Sequence, residues 1–261
     1  MKTSKGRTVT ALSDYDRVRY RRQITIPGFG EEAQARLKKA TALIAGLGGL
    51  GSPLALYLAA VGVGHLQLVD RDTVELSNLN RQVLHWDGDI GRKKARSASD
   101  KVAKINPTTH VEAFDLTIDD NNVSEITKDC DIILDATDNF AVRYTLNKTA
   151  IARRIPLIHG AVYGYEGRLA TIIPGQTACL ECIYPHVPPQ AVFPVLGTTP
   201  GVVALLQATE AIKCLSDVGV LLTDEMLIYD GETMHFEKAP ITRSPLCKSC
   251  AVIESESHKR E

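Results

Sequence analysis

The 261-residue chain lacks an excess of either charge: 30 Lys and Arg stand against 31 Asp and Glu, a formal net charge of -1. That removes the bulk electrostatic case for nucleic acid or an anionic membrane as partner. No run approaches eighteen unbroken apolar residues, and the first residues contain no apolar core of signal-peptide length, so the cytoplasm is the expected location and no membrane partner is expected. Internal repeats and low-complexity tracts are also missing, which excludes repeat arrays. What remains is a globular composition, 44% apolar, enough for the core of one large domain or two small ones.

The cysteines are few and grouped. Four of the six stand in two pairs, Cys179-Leu180-Glu181-Cys182 and Cys247-Lys248-Ser249-Cys250. A two-residue spacer lets neighbouring thiolates reach one tetrahedral ion, and two such pairs close a four-sulfur zinc site with no position left for substrate. A reducing cytoplasm keeps those thiols available for metal. The expected zinc is therefore structural. Cys130 and Cys214 remain over and read as packing residues.

From Thr41 onward, short β-branched or apolar runs alternate with helical stretches. Residues 41–46 read as a strand, 52–62 as a helix and 65–70 as a second strand, a β-α-β unit. A polar stretch, 71–90, leads into a basic helix over 91–105 that stops before Asn106-Pro107. Further strands are expected near His110, over 131–136 and over 155–159, with a helix over 139–154. The style then changes: 168–173, 226–229 and 234–238 look like exposed or antiparallel strands, the last two joined by Asp230-Gly231. A proline-rich crossover, 184–200, precedes a helix over 200–215. The fold class is α/β: a Rossmann-like, mostly parallel sheet with crossover helices, extended by antiparallel strands and carrying a zinc site.

Gly46-Leu47-Gly48-Gly49-Leu50-Gly51 lies between a strand and a helix opened by Ser52-Pro53, where backbone amides and a helix N-terminus can meet a phosphate without Cβ interference. Asp70 ends the next strand, placed to bind ribose hydroxyls. These features alone also fit an NAD-dependent oxidoreductase. The continuation adds Asp72, Glu75, Ser77, Asn78, Asn80, Arg81 and Gln82 beyond the strand end, amide, guanidinium and carboxylate groups that suit a triphosphate.

With these residues the chain resembles the MoeB/ThiF/HesA family, relatives of the adenylation domain of ubiquitin-activating enzymes, over about Tyr20 to Cys250. The likeness rests on Arg19-Tyr20-Arg21-Arg22-Gln23, the glycine turn, the block from Asp70 to Gln82, Lys94, Thr137-Asp138-Asn139, the stretch Leu206 to Lys213 and both cysteine pairs. It implies an ATP-dependent adenylyltransferase: the C-terminal glycine carboxylate of a small ubiquitin-like sulfur carrier, MoaD or ThiS type, ending in Gly-Gly, attacks the α-phosphate of ATP and expels pyrophosphate. Such a step needs cations around developing negative charge and little proton transfer, because a carboxylate is already ionised at neutral pH.

By the matching motifs, the resemblance implies that Arg22, Asn78, Arg81, Lys94 and Asp138 carry the chemistry. Nucleotide contacts fall on Gly46, Gly48, Gly49, Gly51, Asp70, Asp72, Ser77, Asn78, Arg81, Gln82, Lys94, Asp138 and Asn139. Asp70 holds the ribose, Asn78, Arg81 and Lys94 line the phosphates, Asp138 positions magnesium, and Arg22 reaches the neighbouring site of a homodimer. ATP, Mg2+ and Zn2+ are the implied small partners. Residues 12–253 form one ThiF-type adenylation domain, 41–139 being the nucleotide-binding core and 155–250 the carrier-binding, zinc-bearing half; 1–11 and 254–261 are expected to be flexible tails. Two departures stand out. No cysteine lies between Ile183 and Lys213, where family members that form a thioester or persulfide often carry one, so a separate sulfur donor is expected. Gly167-Arg168 replaces the common glycine-glutamine. Adenylation of a non-protein carboxylate, such as one on a modified tRNA, satisfies the same chemistry, and a carrier-binding scaffold without catalysis is a further reading. The pathway served, molybdopterin, thiamin or other, is left open.

Overall fold

The β-branched and apolar runs pair into one eight-stranded sheet in the order β3-β2-β1-β4-β5-β6-β7-β8. Its strands are β1 (Thr41–Ala45), β2 (His65–Val69), β3 (His110–Phe114), β4 (Ile132–Asp135), β5 (Leu157–Tyr163), β6 (Glu166–Ile172), β7 (Glu225–Asp230) and β8 (His235–Pro240). The computed structural model describes residues 11–186 and 194–250. The expected tails, apart from residue 11, and 187–193 of the proline-rich segment lie outside the described residues.

Strands β1 to β5 pair parallel, and β6 to β8 add antiparallel. β1 and β4 are buried along their whole lengths, as expected for central strands covered on both faces. Alternation along a strand sends successive side chains to opposite faces. Ala42, Ile44, Leu66, Leu68, Ile132 and Leu134 pack on one side, and Leu43, Ala45, Val69, Ile133 and Leu157 on the other.

The first side is covered by α3 (Gly30–Lys39), α4 (Gly51–Ala60), α5 (Lys94–Ile105) and α9 (Thr198–Ser216). The second is covered by α6 (Val123–Ile126), α7 (Phe140–Arg153) and α8 (Leu180–Ile183), together with the paired cysteines. Two short helices, α1 (Asp14–Arg19) and α2 (Arg21–Ile24), precede them. α1 is opened by a capping box between Ser13 and Asp16.

Several boundaries move from their expected places for local reasons. α5 begins at Lys94 rather than residue 91, because Gly91 takes a φ of +84° and residues 91–93 pair back with Thr73 and Val74. α9 begins two residues before Pro200, which falls in the first turn where an N–H has no helical partner anyway. β5 runs on to Tyr163 because it folds back on β6 through the two-residue turn Gly164-Tyr165, with Gly164 at a φ of +57°. No described helix is long and apolar enough to cross a membrane.

Candidate functional site

The glycine turn leaves the carboxyl end of β1, beside the ends of β2 and β4, where open α/β sheets form ligand crevices. Gly46 needs its residue type twice over: its φ is +90°, and a Cβ there would stand 2.7 Å from the carbonyl oxygen of Ala136. A Cβ on Gly51 would stand 1.8 Å from the Gly46 carbonyl oxygen. The turn therefore packs against the end of β4 with no room for a side chain. The amides of Gly48 and Gly49 have no partner among the described residues, which leaves two donors available just ahead of α4.

Between them Leu47 is pinned at both ends. Its amide donates to Asp70 Oδ2 at 2.7 Å, and its carbonyl accepts from Ser52 Oγ at 3.0 Å and from His85 Nε2 at 3.1 Å. A carbonyl can only accept, so His85 carries its proton on Nε2 and accepts at Nδ1 from the Ser97 hydroxyl at 2.9 Å. Burial pushes His85 down to about 4, so the ring is neutral at physiological pH. Burial acts on Asp70 in the opposite sense and raises it, while amide hydrogen bonds from Asp72 and Leu47 pull back.

Beyond β2, a polar cleft of about 360 Å³ is lined by Arg71, Asp72, Thr73, Glu75, Asn78, Lys93 and Lys94. Lys94 is 6% exposed and pairs with Asp72 Oδ2 at 3.1 Å. Asn78 is buried, with Oδ1 accepting the Glu75 amide at 3.1 Å. Ser77 is exposed; its carbonyl and Asn80 Oδ1 hold Arg81 Nη1 at 2.9 and 3.0 Å. Gln82 is buried beside Gly48, and its Oε1 has no hydrogen-bond partner. The cleft thus sets a buried cation, Lys94, with a buried amide side chain, Asn78.

Asp138 and Asn139, after β4, differ in their partners. Asn139, not Asp138, caps α7, its Oδ1 accepting from Ala141 and Val142 at 2.8 and 3.4 Å. Asp138 is exposed and its carboxylate has no partner among the described residues. Arg22 is an expected site residue that the chain does not bring to this place. It lies exposed on α2, and its neighbour Gln23 bonds the Val61 carbonyl at 3.0 Å, at the far end of α4 from the glycine turn. A ten-residue helix puts about 15 Å between those ends.

Sequence reasoning assigned no role to Asp135 and His159, both fully buried beneath the Thr137-Asp138 loop. His159 Nδ1 donates to Asp135 Oδ2 at 2.7 Å, and Asp135 Oδ1 accepts from the Thr137 amide and hydroxyl at 3.0 and 2.7 Å. Arg143 reaches the Thr137 carbonyl at 2.5 Å and Asp135 Oδ2 at 3.5 Å. Burial pushes Asp135 up, but Arg143, His159 and Thr137 more than offset it and keep the carboxylate ionised. Burial likewise holds His159 neutral despite Asp135. The available signal was an acid and an imidazole inside two otherwise apolar strands. Arg168, in place of the family's glutamine, pairs with Glu166 at 2.6 Å on the strand surface.

The four paired cysteines converge. Cys179 Sγ is 3.9 Å from Cys182 Sγ and 3.5 Å from Cys247 Sγ, and Cys182 Sγ is 3.6 Å from Cys250 Sγ. Four sulfurs tetrahedrally around zinc at 2.3 Å stand about 3.8 Å apart, so the set fits that ion. Arg243 Nε and the Ser244 amide each donate to a ligand sulfur at 3.4 Å, which favours thiolates. Cys130 donates to Gln67 Oε1 at 2.7 Å, and Cys214 packs against the core; burial pushes these thiols up to about 12 and about 11.

The chain is 44% identical over 238 residues to the SAMP-activating enzyme E1 of Haloferax volcanii, covering 89% of this chain and 88% of the relative. It is 39% identical over 243 residues to the sulfur carrier protein adenylyltransferase of Thermus thermophilus, covering 89% and 90%. Among solved structures, E. coli MccB with ATP superposes with a TM-score of 0.74 at 26% identity, over 84% of this chain and 69% of that one. The ThiF family matches residues 20–249, and the chain belongs to that family.

Proposed function

We propose that the protein is an ATP-dependent adenylyltransferase that activates the C-terminal glycine carboxylate of a ubiquitin-like sulfur carrier of the MoaD or ThiS type. The observation that carries this reading is the polar cleft beyond β2, in which buried Lys94 and Asn78 stand with Arg71, Asp72 and Lys93. A nicotinamide oxidoreductase uses the turn and Asp70 but gives no work to Lys94, Arg81 or Asp138. The relatives named for carrier activation support the carboxylate class.

In this reading Asp70 holds the ribose, and the amides of the turn, with Gly46 and Gly51 keeping side chains away, receive the phosphates. Asn78, Arg81, Gln82 and Lys94 surround the charge that moves onto pyrophosphate as the carboxylate oxygen bonds to the α-phosphorus and the α–β bridging bond breaks. Asp72 and Ser77 position Lys94 and Arg81; Asn139 fixes the start of α7 and so the place of Asp138. Asp138 is the carboxylate for Mg2+, which when bound neutralises phosphate charge. Arg22 serves the neighbouring site of a homodimer, since its own chain holds it far from the turn. Zn2+ held by Cys179, Cys182, Cys247 and Cys250 ties the chain after β6 to the C-terminal end of the domain. Residues 12–253 act as one unit, with 41–139 binding nucleotide and 155–250 binding the carrier. None of the six cysteines is paired in a disulfide, which suits a reducing cytoplasm. A separate protein donates sulfur.

ATP–pyrophosphate exchange is the test, run with a Gly-Gly-ending carrier, the same carrier lacking its last glycine, and carboxylate-bearing tRNA. Exchange with the intact carrier alone is expected. NAD(H) binding without exchange overturns the reading, and exchange with tRNA alone reassigns the carboxylate.

A further inference from the structure

We propose that His65, His110 and Glu112 form a binding site for a first-row divalent cation of the zinc class, separate from both the four-cysteine cluster and the nucleotide cleft. The strand register assembles it. His65 on β2 is the direct partner of His110 on β3, so their side chains leave the same face of the sheet. Glu112, two residues farther along β3, returns to that face by strand alternation.

The ligand atoms already stand near coordination spacing. His65 Nε2 is 3.5 Å from one carboxylate oxygen of Glu112, and His110 Nε2 is 3.6 Å from the other. All three ligand atoms fit within 4.8 Å of one another. Around zinc at bond lengths of 2.0–2.1 Å, tetrahedral N and O ligands stand about 3.3–3.4 Å apart. Each imidazole is thus within a few tenths of an ångström of that spacing from its own carboxylate oxygen, and rotation of the exposed His110 ring, now tilted against His65 at 4.6 Å between centroids, brings the three ligand atoms closer together.

Two further observations point to a cation rather than to casual ion pairing. His65 Nε2 is buried and, apart from the long 3.5 Å approach to Glu112, has no polar partner, a cost that a metal bond removes. The Glu112 carboxylate is also fixed by Gln67, whose Nε2 donates at 3.3 Å to Oε2, the oxygen that faces His65, while Gln67 Oε1 accepts from Cys130 Sγ at 2.7 Å. Such a contact orients a ligand carboxylate. Two imidazoles and one carboxylate favour zinc, nickel or copper over magnesium or calcium, and three protein ligands leave an open position.

The placement defines the effect. Among the described strands β3 is an edge, so the ion joins that edge to its neighbour, β2. His65 begins β2, whose other end leads to Asp70, about 16 Å away along the strand. The site is therefore one of stability and metal capture, not of adenylation.

The test compares zinc bound by the full chain with zinc bound by His110→Ala and by Glu112→Gln, both at exposed or half-exposed positions, after equilibration with micromolar zinc and desalting. Whatever the cysteines hold is common to all three proteins. One fewer zinc per chain in each variant is expected, with pyrophosphate exchange unchanged and the zinc-induced rise in melting temperature reduced. Equal zinc in the wild type and both variants overturns the proposal.

Discussion

The amide of Leu47 stands 2.7 Å from Oδ2 of Asp70, joining the glycine turn to the end of β2 through the residue proposed to hold the ribose. The other oxygen of the same carboxylate accepts the Asp72 amide at 2.8 Å. Asp70 is thus a structural acceptor before any nucleotide arrives. Asp70→Ala is expected to raise the KM for ATP at least tenfold and also to lower stability by about 2 kcal/mol, or roughly 4–8 °C in melting temperature. Calorimetry and exchange kinetics measure both; unchanged stability removes the structural role.

Asp138 has no structural employment among the described residues, so Asp138→Ala should fold normally while exchange falls about a hundredfold or more. Arg22→Ala should also lose exchange. Mixed together, the two variants should partly regain activity, because one site of the mixed dimer is whole. No recovery on mixing, or a monomer in light scattering, removes the shared site.

One zinc per chain is expected at the four cysteines. Cys182→Ala should lose that zinc and lower the melting temperature more than it slows the chemical step, since a closed four-sulfur site offers substrate no position. Metal analysis beside thermal unfolding decides it, and a variant with unchanged metal content and stability counts against the site.

His85 supplies a pH dependence whose sign follows from its burial. Its folded value of about 4 lies below the ordinary 6.5, so the unfolded chain binds the proton more readily between those values. The stability contributed by the neutral ring is complete above pH 6.5 and is lost as pH falls through 4, on the order of 3 kcal/mol in all. His85→Gln keeps an amide for the Leu47 carbonyl and has no titration, so its stability should fall less than wild type between pH 6.5 and 4 in urea unfolding. Parallel curves contradict this.

No cysteine lies between Ile183 and Lys213, and burial pushes Cys214 to about 11 and Cys130 to about 12, so neither is a thiolate at neutral pH. The reaction should stop at the noncovalent acyl adenylate. Enzyme, carrier and ATP-magnesium on a non-reducing gel should give no thiol-sensitive conjugate; a band that disappears in Cys214→Ala overturns the adenylate-only course.

Local patterns in the sequence were sufficient for the β-α-β alternation, the glycine turn and the spacing of the cysteine pairs, because each depends on neighbours a few residues apart. The cysteines also show why spacing carried to tertiary structure here: each pair is short enough to leave only their meeting to the fold, and burial beneath α7 supplies it. Other features had no local signal. That Asn139 rather than Asp138 caps α7 depends on where the helix starts, and Gly91's positive φ, which delays α5 to Lys94, depends on pairing with Thr73 and Val74. Asp135 and His159 meet only because β4 and β5 are parallel in one register, as His65 and His110 meet through β2 and β3. Residue types and short spacings set which chemistry this chain is able to perform; strand register and burial decided which of those groups stand together, which remain charged, and that Arg22 is held away from its own chain's site.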